Sequence, residues 1–152
     1  MTVARLTPAV LAETPAAAAA ALRDRGLRVS TARRELLAAL YGAERPLSAE
    51  ELAGDGDVAS AYRNLEVLED VGLVRHVHLG HGPGLYHPAG LEREFVVCES
   101  CGAVRAVAPA QFDGVRAAVL DAVGYRARFT HFPLAGVCPA CAERRSSPVR
   151  RG

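Results

Sequence analysis

The stretch Gly54-Asp-Gly-Asp-Val-Ala-Ser-Ala-Tyr-Arg-Asn-Leu-Glu-Val-Leu-Glu-Asp-Val-Gly-Leu-Val74 decides how this chain folds. Its glycine-rich start is a turn, Asp57 is an N-cap, and Val58, Ala61, Leu65 and Leu68 fall at three- and four-residue spacing. That spacing predicts an amphipathic helix ending near Val71, with one face in a core. Immediately upstream, Ser48-Ala-Glu-Glu51 is a capping box that opens a short helix closed by Gly54. Two helices joined by a tight glycine turn make a helix-turn-helix, whose second helix can lie in the major groove of DNA. Ser60, Arg63 and Asn64 fall opposite the apolar stripe, where base edges and phosphates would be met. The plainer alternative is that any small helical domain has a polar outer face.

Outward from this core the pattern continues. Ala16–Arg25 is rich in helix formers and ends at Gly26, and a second helix follows Ser30 or Thr31 with Leu36, Leu37, Leu40 and Tyr41 on one face. After Gly72, Leu73–Leu79 and Gly84–His87 alternate as a two-stranded hairpin, the wing of a winged helix. Gly, Pro and His then concentrate near residues 80–90, which reads as a turn and a hinge. Beyond it, Phe95–Cys98 and Ala103–Val107 read as strands. Pro109 opens a helix carrying Phe112, Val115, Val119 and Val123 to Gly124, and Tyr125–Phe132 is expected to return as a strand. The expected fold is α+β: a winged-helix domain over 16–88 and a small αβ domain over 89–142, between flexible tails 1–15 and 143–152. So small a second unit needs a staple or a partner.

With 152 residues the chain has room for one mid-sized domain or two small ones, and 50% hydrophobic against 23% charged residues is the balance of a folded protein. The net charge is only +1: residues 1–75 carry nine Arg against eleven acids, residues 76–152 nine against six, and Lys is absent. DNA binding would therefore rest on a few placed arginines and on oligomerisation, because bulk charge does not supply the affinity. The longest apolar block, Ala16–Ala21, is far short of a membrane span, and Arg5, Pro8, Glu13 and Pro15 interrupt any signal-like region. The expectation is a cytoplasmic protein without membrane contact, in which four cysteines are metal ligands or redox thiols rather than disulfides.

Cys98-Glu-Ser-Cys101 and Cys138-Pro-Ala-Cys141 are two knuckles with 36 residues between them. Together they would place four thiolates about one tetrahedral Zn²⁺, a closed structural site; the competing reading is a pair of redox dithiols. His76 and His78 leave one face of a strand, His81 and His87 flank the following turn, Glu92 and Glu94 repeat the spacing, and His131 can approach either pair. Such a His and carboxylate set suits a second divalent metal, Ni²⁺, Fe²⁺ or Zn²⁺. Otherwise these are solvated residues of the wing.

The run Ser60–Val74, followed by the two C-x-x-C knuckles, resembles the recognition helix and wing entry of the ferric uptake regulator family over residues 16–142. The resemblance implies a homodimeric metal-responsive transcriptional regulator, mostly a repressor, that binds an operator in double-stranded DNA. It further implies DNA contacts from Tyr62 and Arg63, structural zinc at Cys98, Cys101, Cys138 and Cys141, and a hinge-site ligand at His87. Glu92, Glu94, Asp113 and His131 fall at the metal site of the dimerisation domain, and His76 with His78 resembles the nickel-responsive branch. Three departures stand out, the first being that Pro46 or Arg45 stands where the interdomain helix often offers a His. The His-rich run before the first Cys is replaced by Glu92-Arg-Glu-Phe-Val-Val-Cys98, so that Arg93 and Phe95 stand where sensor ligands are common, and Leu52–Val58 is short.

The sensor site is accordingly expected among His76, His78, His87, Glu92, Glu94, Asp113 and His131. The alternatives are a peroxide-responsive or metal-insensitive regulator of the same fold and, more remotely, a small metal-dependent hydrolase with Glu92 or Glu94 as base. No nucleophile elbow or phosphate loop is present, and the chain is not expected to be an enzyme.

Overall fold

The computed structural model describes residues 7–80 and 82–146; the turn residue His81 and the outer parts of both tails lie outside the described residues. Four helices build the N-terminal half: α1 (Pro15–Asp24), α2 (Thr31–Gly42), α3 (Ala49–Ala53) and α4 (Val58–Asp70). Each starts where a side chain satisfies otherwise unpaired amides. Thr14 caps α1 through the Ala17 N–H, and Ser30 caps α2 through that of Arg33. At α3 the capping box closes in both directions, Ser48 Oγ accepting from Glu51 N–H at 3.1 Å and Glu51 Oε2 from Ser48 N–H at 2.9 Å. The Asp57 carboxylate takes the amides of Ala59 and Ser60, so α4 begins where the sequence places it.

Strands β1 (Leu47–Ser48), β2 (Val74–Val77) and β3 (Leu85–Pro88) form an antiparallel sheet in the order β1-β3-β2, with His76 opposite Tyr86. Leu22 of α1, Leu37 and Leu40 of α2, Leu65 and Leu68 of α4, and Leu73 and Val74 at the wing entry fill one core. This is the winged helix.

The expected flexible N-terminal tail is corrected over its described part. Ala12 is buried in the same core, its carbonyl accepts the Tyr41 hydroxyl at 2.7 Å, and Val10 N–H donates to the Gly72 carbonyl at 2.9 Å. The segment crosses Gly72 and Gly90 so closely that a Cβ at either would collide, with the carbonyl of Pro8 at the first and that of Ala12 at the second.

In the C-terminal half, β4 (Glu94–Cys98) pairs antiparallel with β5 (Val104–Val107) and parallel with β6 (Leu134–Gly136). A 3₁₀ turn, Pro109–Phe112, leads into α5 (Asp113–Val123), and α6 (Pro139–Ser146) extends the fold into the expected basic tail. The third strand is thus not Tyr125–Phe132. That segment is irregular and leaves the sheet for the wing, where the His131 carbonyl accepts from His78 N–H at 3.1 Å; pairing with β4 resumes after Pro133. No residue of α5 is buried, and Val115, Leu120, Val123, Tyr125 and Phe132 are exposed. Among the described residues this half has little core: Ala89, Phe95, Phe112 and the two buried cysteines Cys98 and Cys141.

Candidate metal centres and DNA-facing helix

The two knuckles converge. The β4–β5 turn carries Cys98 and Cys101, the entry to α6 carries Cys138 and Cys141, and the four sulfurs lie within 4.8 Å of one another. Cys138 N–H points at Cys98 Sγ, 3.3 Å away, and Arg144 Nη2 lies 2.8 Å from Cys141 Sγ. Amide donation, from Cys138 first, pulls the Cys98 thiol down to about 6, and contact with Ser100 lowers Cys141. At Cys101 the favourable Ala103 amide is outweighed by the neighbouring sulfurs, which push it up to about 11. Four thiols so placed ionise together only around a cation, and the set matches a closed tetrahedral Zn²⁺ site.

A second cluster joins the two halves. His76 on β2, His78 just beyond it and His131 from the irregular segment bring one nitrogen each within 4.8 Å of the others. Their rings meet edge to face, with centroids 4.7 Å apart for His76 and His131 and 5.1 Å for His78 and His131. Burial, then the proximity of His76 and His78, holds the His131 pKa down, which favours the neutral ring with a free lone pair. Phe132, itself exposed, stacks on His78. His76 Nδ1 also contacts Glu69 Oε1 in the last turn of α4.

The other sensor candidates do not join this cluster. Glu94 is buried and holds Arg116, whose Nη1 lies 2.8 and 3.0 Å from its two oxygens. Arg116 Nη2 also reaches Asp113 Oδ1 at 3.4 Å and the Pro109 carbonyl, and the guanidinium lies over Phe129. A resident cation therefore already pairs with the buried Glu94 and touches the exposed Asp113. Glu92 is exposed, in the left-handed region at φ +38°. His87 is buried against Phe95, donates from Nδ1 to the Pro88 carbonyl at 3.3 Å and has no partner for Nε2. Burial holds its pKa down to about 4. Sequence reasoning missed Glu69 and Arg116. The signals available were spacing alone: Glu69 seven residues before His76, and Arg116 three after Asp113.

On α4, Tyr62 and Arg63 are exposed; the Tyr62 hydroxyl donates to Glu50 at 3.3 Å, and Arg63 reaches Asp57 at 3.4 Å. Asn64 faces inward, contrary to the expectation. Its Oδ1 accepts from Arg33 Nε at 3.1 Å and its amide donates to the Ser60 carbonyl at 2.9 Å, tying α4 to α2 while Ser60 is half-buried beside it.

A helix-turn-helix with a wing, joined to a small αβ unit that holds a four-thiol cluster, defines a winged-helix DNA-binding regulator. The model of the Ferric uptake regulator family matches residues 24–131, and the chain belongs to that family, whose members are DNA-binding transcriptional regulators and dimers rather than enzymes. The Ferric uptake regulation protein of Neisseria meningitidis is 30% identical over 131 residues, covering 80% of this chain and 91% of that protein. The Peroxide-responsive repressor PerR of Staphylococcus saprophyticus is 25% identical over 130 residues, covering 81% and 88%. Among solved structures, the Helicobacter pylori ferric uptake regulator Fur superposes with a TM-score of 0.63 at 21% identity over 81% of this chain and 87% of that one. No described helix is long and apolar enough to cross a membrane.

Proposed function

We propose that this chain is a dimeric, metal-dependent repressor with structural Zn²⁺ on Cys98, Cys101, Cys138 and Cys141 and a sensed ion, Ni²⁺ in preference to Zn²⁺ or Fe²⁺, on His76, His78 and His131. The observation that carries the reading is the three-imidazole cluster drawn from both halves of the chain. Three imidazole ligands suit Ni²⁺ or Zn²⁺, whereas Fe²⁺ sites commonly include a carboxylate ligand; Glu94 and Asp113 contact Arg116, and Glu69 is engaged by His76 Nδ1. That commitment also disfavours a peroxide-responsive iron site.

A bound ion would supply a shared Lewis acid for one lone pair from each of the three imidazoles. The chain supplies the rest. His131 is anchored to the wing by its carbonyl, so fixing the three rings fixes the angle between the halves. The exposed apolar face of Val115, Leu120, Val123 and Tyr125 would be covered by a second copy, and the angle then sets the separation of the two α4 helices. A separation matched to successive major-groove turns lets both bind at once, a shift in population rather than a new contact.

The test is operator selection from random DNA with zinc-loaded protein plus Ni²⁺, followed by anisotropy titration of the recovered site. Ni²⁺ should raise affinity at least tenfold for wild type and not for His131→Ala. Equal affinity with and without metal would sink the reading.

A further inference from the structure

We infer that Glu69 is a positioning residue for the imidazole cluster, fixing the His76 ring and tying the last turn of the DNA-facing helix to the metal site; this rests on the proposed function. Glu69 Oε1 contacts His76 Nδ1 across the short connection from α4 to β2, with both side chains about two-thirds buried (29% and 32% exposed). A carboxylate on Nδ1 selects the tautomer with a proton there and leaves the Nε2 lone pair for an ion.

The position is otherwise unfavourable. A carboxylate in the last turn of a helix opposes the helix dipole, and the last turn of α4 holds no basic residue to offset it. The partner that repays the placement is His76. Tyr86 lies at the same corner, opposite His76 in the sheet and with ring centroids 6.1 Å apart. Tyr62 and Arg63 are on the same rigid helix, up to two turns before Glu69, so a displacement of His76 toward the other rings is handed to the residues that face DNA.

The test uses the full zinc-loaded chain, titrated with Ni²⁺ alone, as wild type, Glu69→Ala, Glu69→Gln and His131→Ala. Glu69→Ala should weaken nickel binding 10- to 100-fold. Glu69→Gln should lose less, because its amide oxygen still accepts the Nδ1 proton. Long-range ¹H–¹⁵N spectra of neutral His76 should show the Nδ1–H form in wild type and Glu69→Gln and the Nε2–H form in Glu69→Ala. Zinc content and circular dichroism of the variants establish that they are folded. Nickel affinity within threefold of wild type in Glu69→Ala, or an unchanged tautomer, overturns the inference. A nickel isotherm unaltered in His131→Ala instead overturns the cluster as the nickel site, whatever the tautomer shows.

Discussion

Replacing Arg116 by methionine keeps an apolar stem over Phe129 and removes the cation from Glu94, leaving a carboxylate that is 94% buried without its partner. Breaking a fully buried pair costs about 3–5 kcal/mol. Arg116 is itself 26% exposed, so solvent screens part of that loss and the expected cost is about 2–3 kcal/mol. For a chain of this size that lowers the melting temperature by roughly 5–10 °C. Urea unfolding at one fixed dimer concentration, followed by circular dichroism because the chain has no Trp, measures it. The double variant Arg116→Met/Glu94→Leu removes both charges and should return to within about 1 kcal/mol of wild type, because a buried pair is often no more stable than an apolar one. A single variant within 0.5 kcal/mol of wild type (roughly the size of a neutral surface change), or a double variant no better than the single, would refute the view that Arg116 stands as the cation of this carboxylate pair.

Arg63→Ala should weaken operator binding by about 10- to 100-fold, as loss of a base-reading arginine does, with zinc content and dimerisation unchanged; a change in oligomeric state by light scattering would mean that α4 is misassigned. The His87 pKa lies at about 4 in the fold against 6.5 in a free chain, so between those values the unfolded chain binds a proton that the folded one does not. Its contribution, up to about 3 kcal/mol, is complete above pH 6.5 and lost as the pH falls toward 4. The difference in stability between wild type and His87→Leu should therefore change across that window; a difference constant from pH 7 to 4 would show that the ring is hydrated. Removing zinc with a strong chelator at neutral pH should unfold residues 89–146 while the winged helix persists, visible as lost α5 amide protection in hydrogen exchange. Intact protection would mean that Phe95 and Phe112 suffice as a core.

Local rules made most of the fold legible. Ser30, Ser48 and Asp57 each cap a helix where the sequence places one, because caps are decided by neighbours in sequence, and α1, capped by Thr14, starts one residue before the expected Ala16. The four thiols were legible for the same reason: two knuckles in one small unit leave few other uses. What failed was long-range. Tyr125–Phe132 has the alternation of a strand, but strand formation needs a free sheet edge, and this segment turns to the wing instead. That a guanidinium from the next turn of α5 settles beside Glu94 and Asp113 is likewise not legible in their spacing. His131, by contrast, was a candidate from the start, but its meeting with His76 and His78 depends on how the two halves pack.

The N-terminal segment lying over Gly72 and Gly90 has an evolutionary corollary. Neither glycine belongs to the four-cysteine or the three-histidine cluster, yet even alanine would have to dislodge Pro8 or Ala12 from the surface of the winged helix. Both should rank among the positions least tolerant of substitution in a saturation screen for repression. A survey of variation would mark them as functional when what they conserve is the absence of a methyl group.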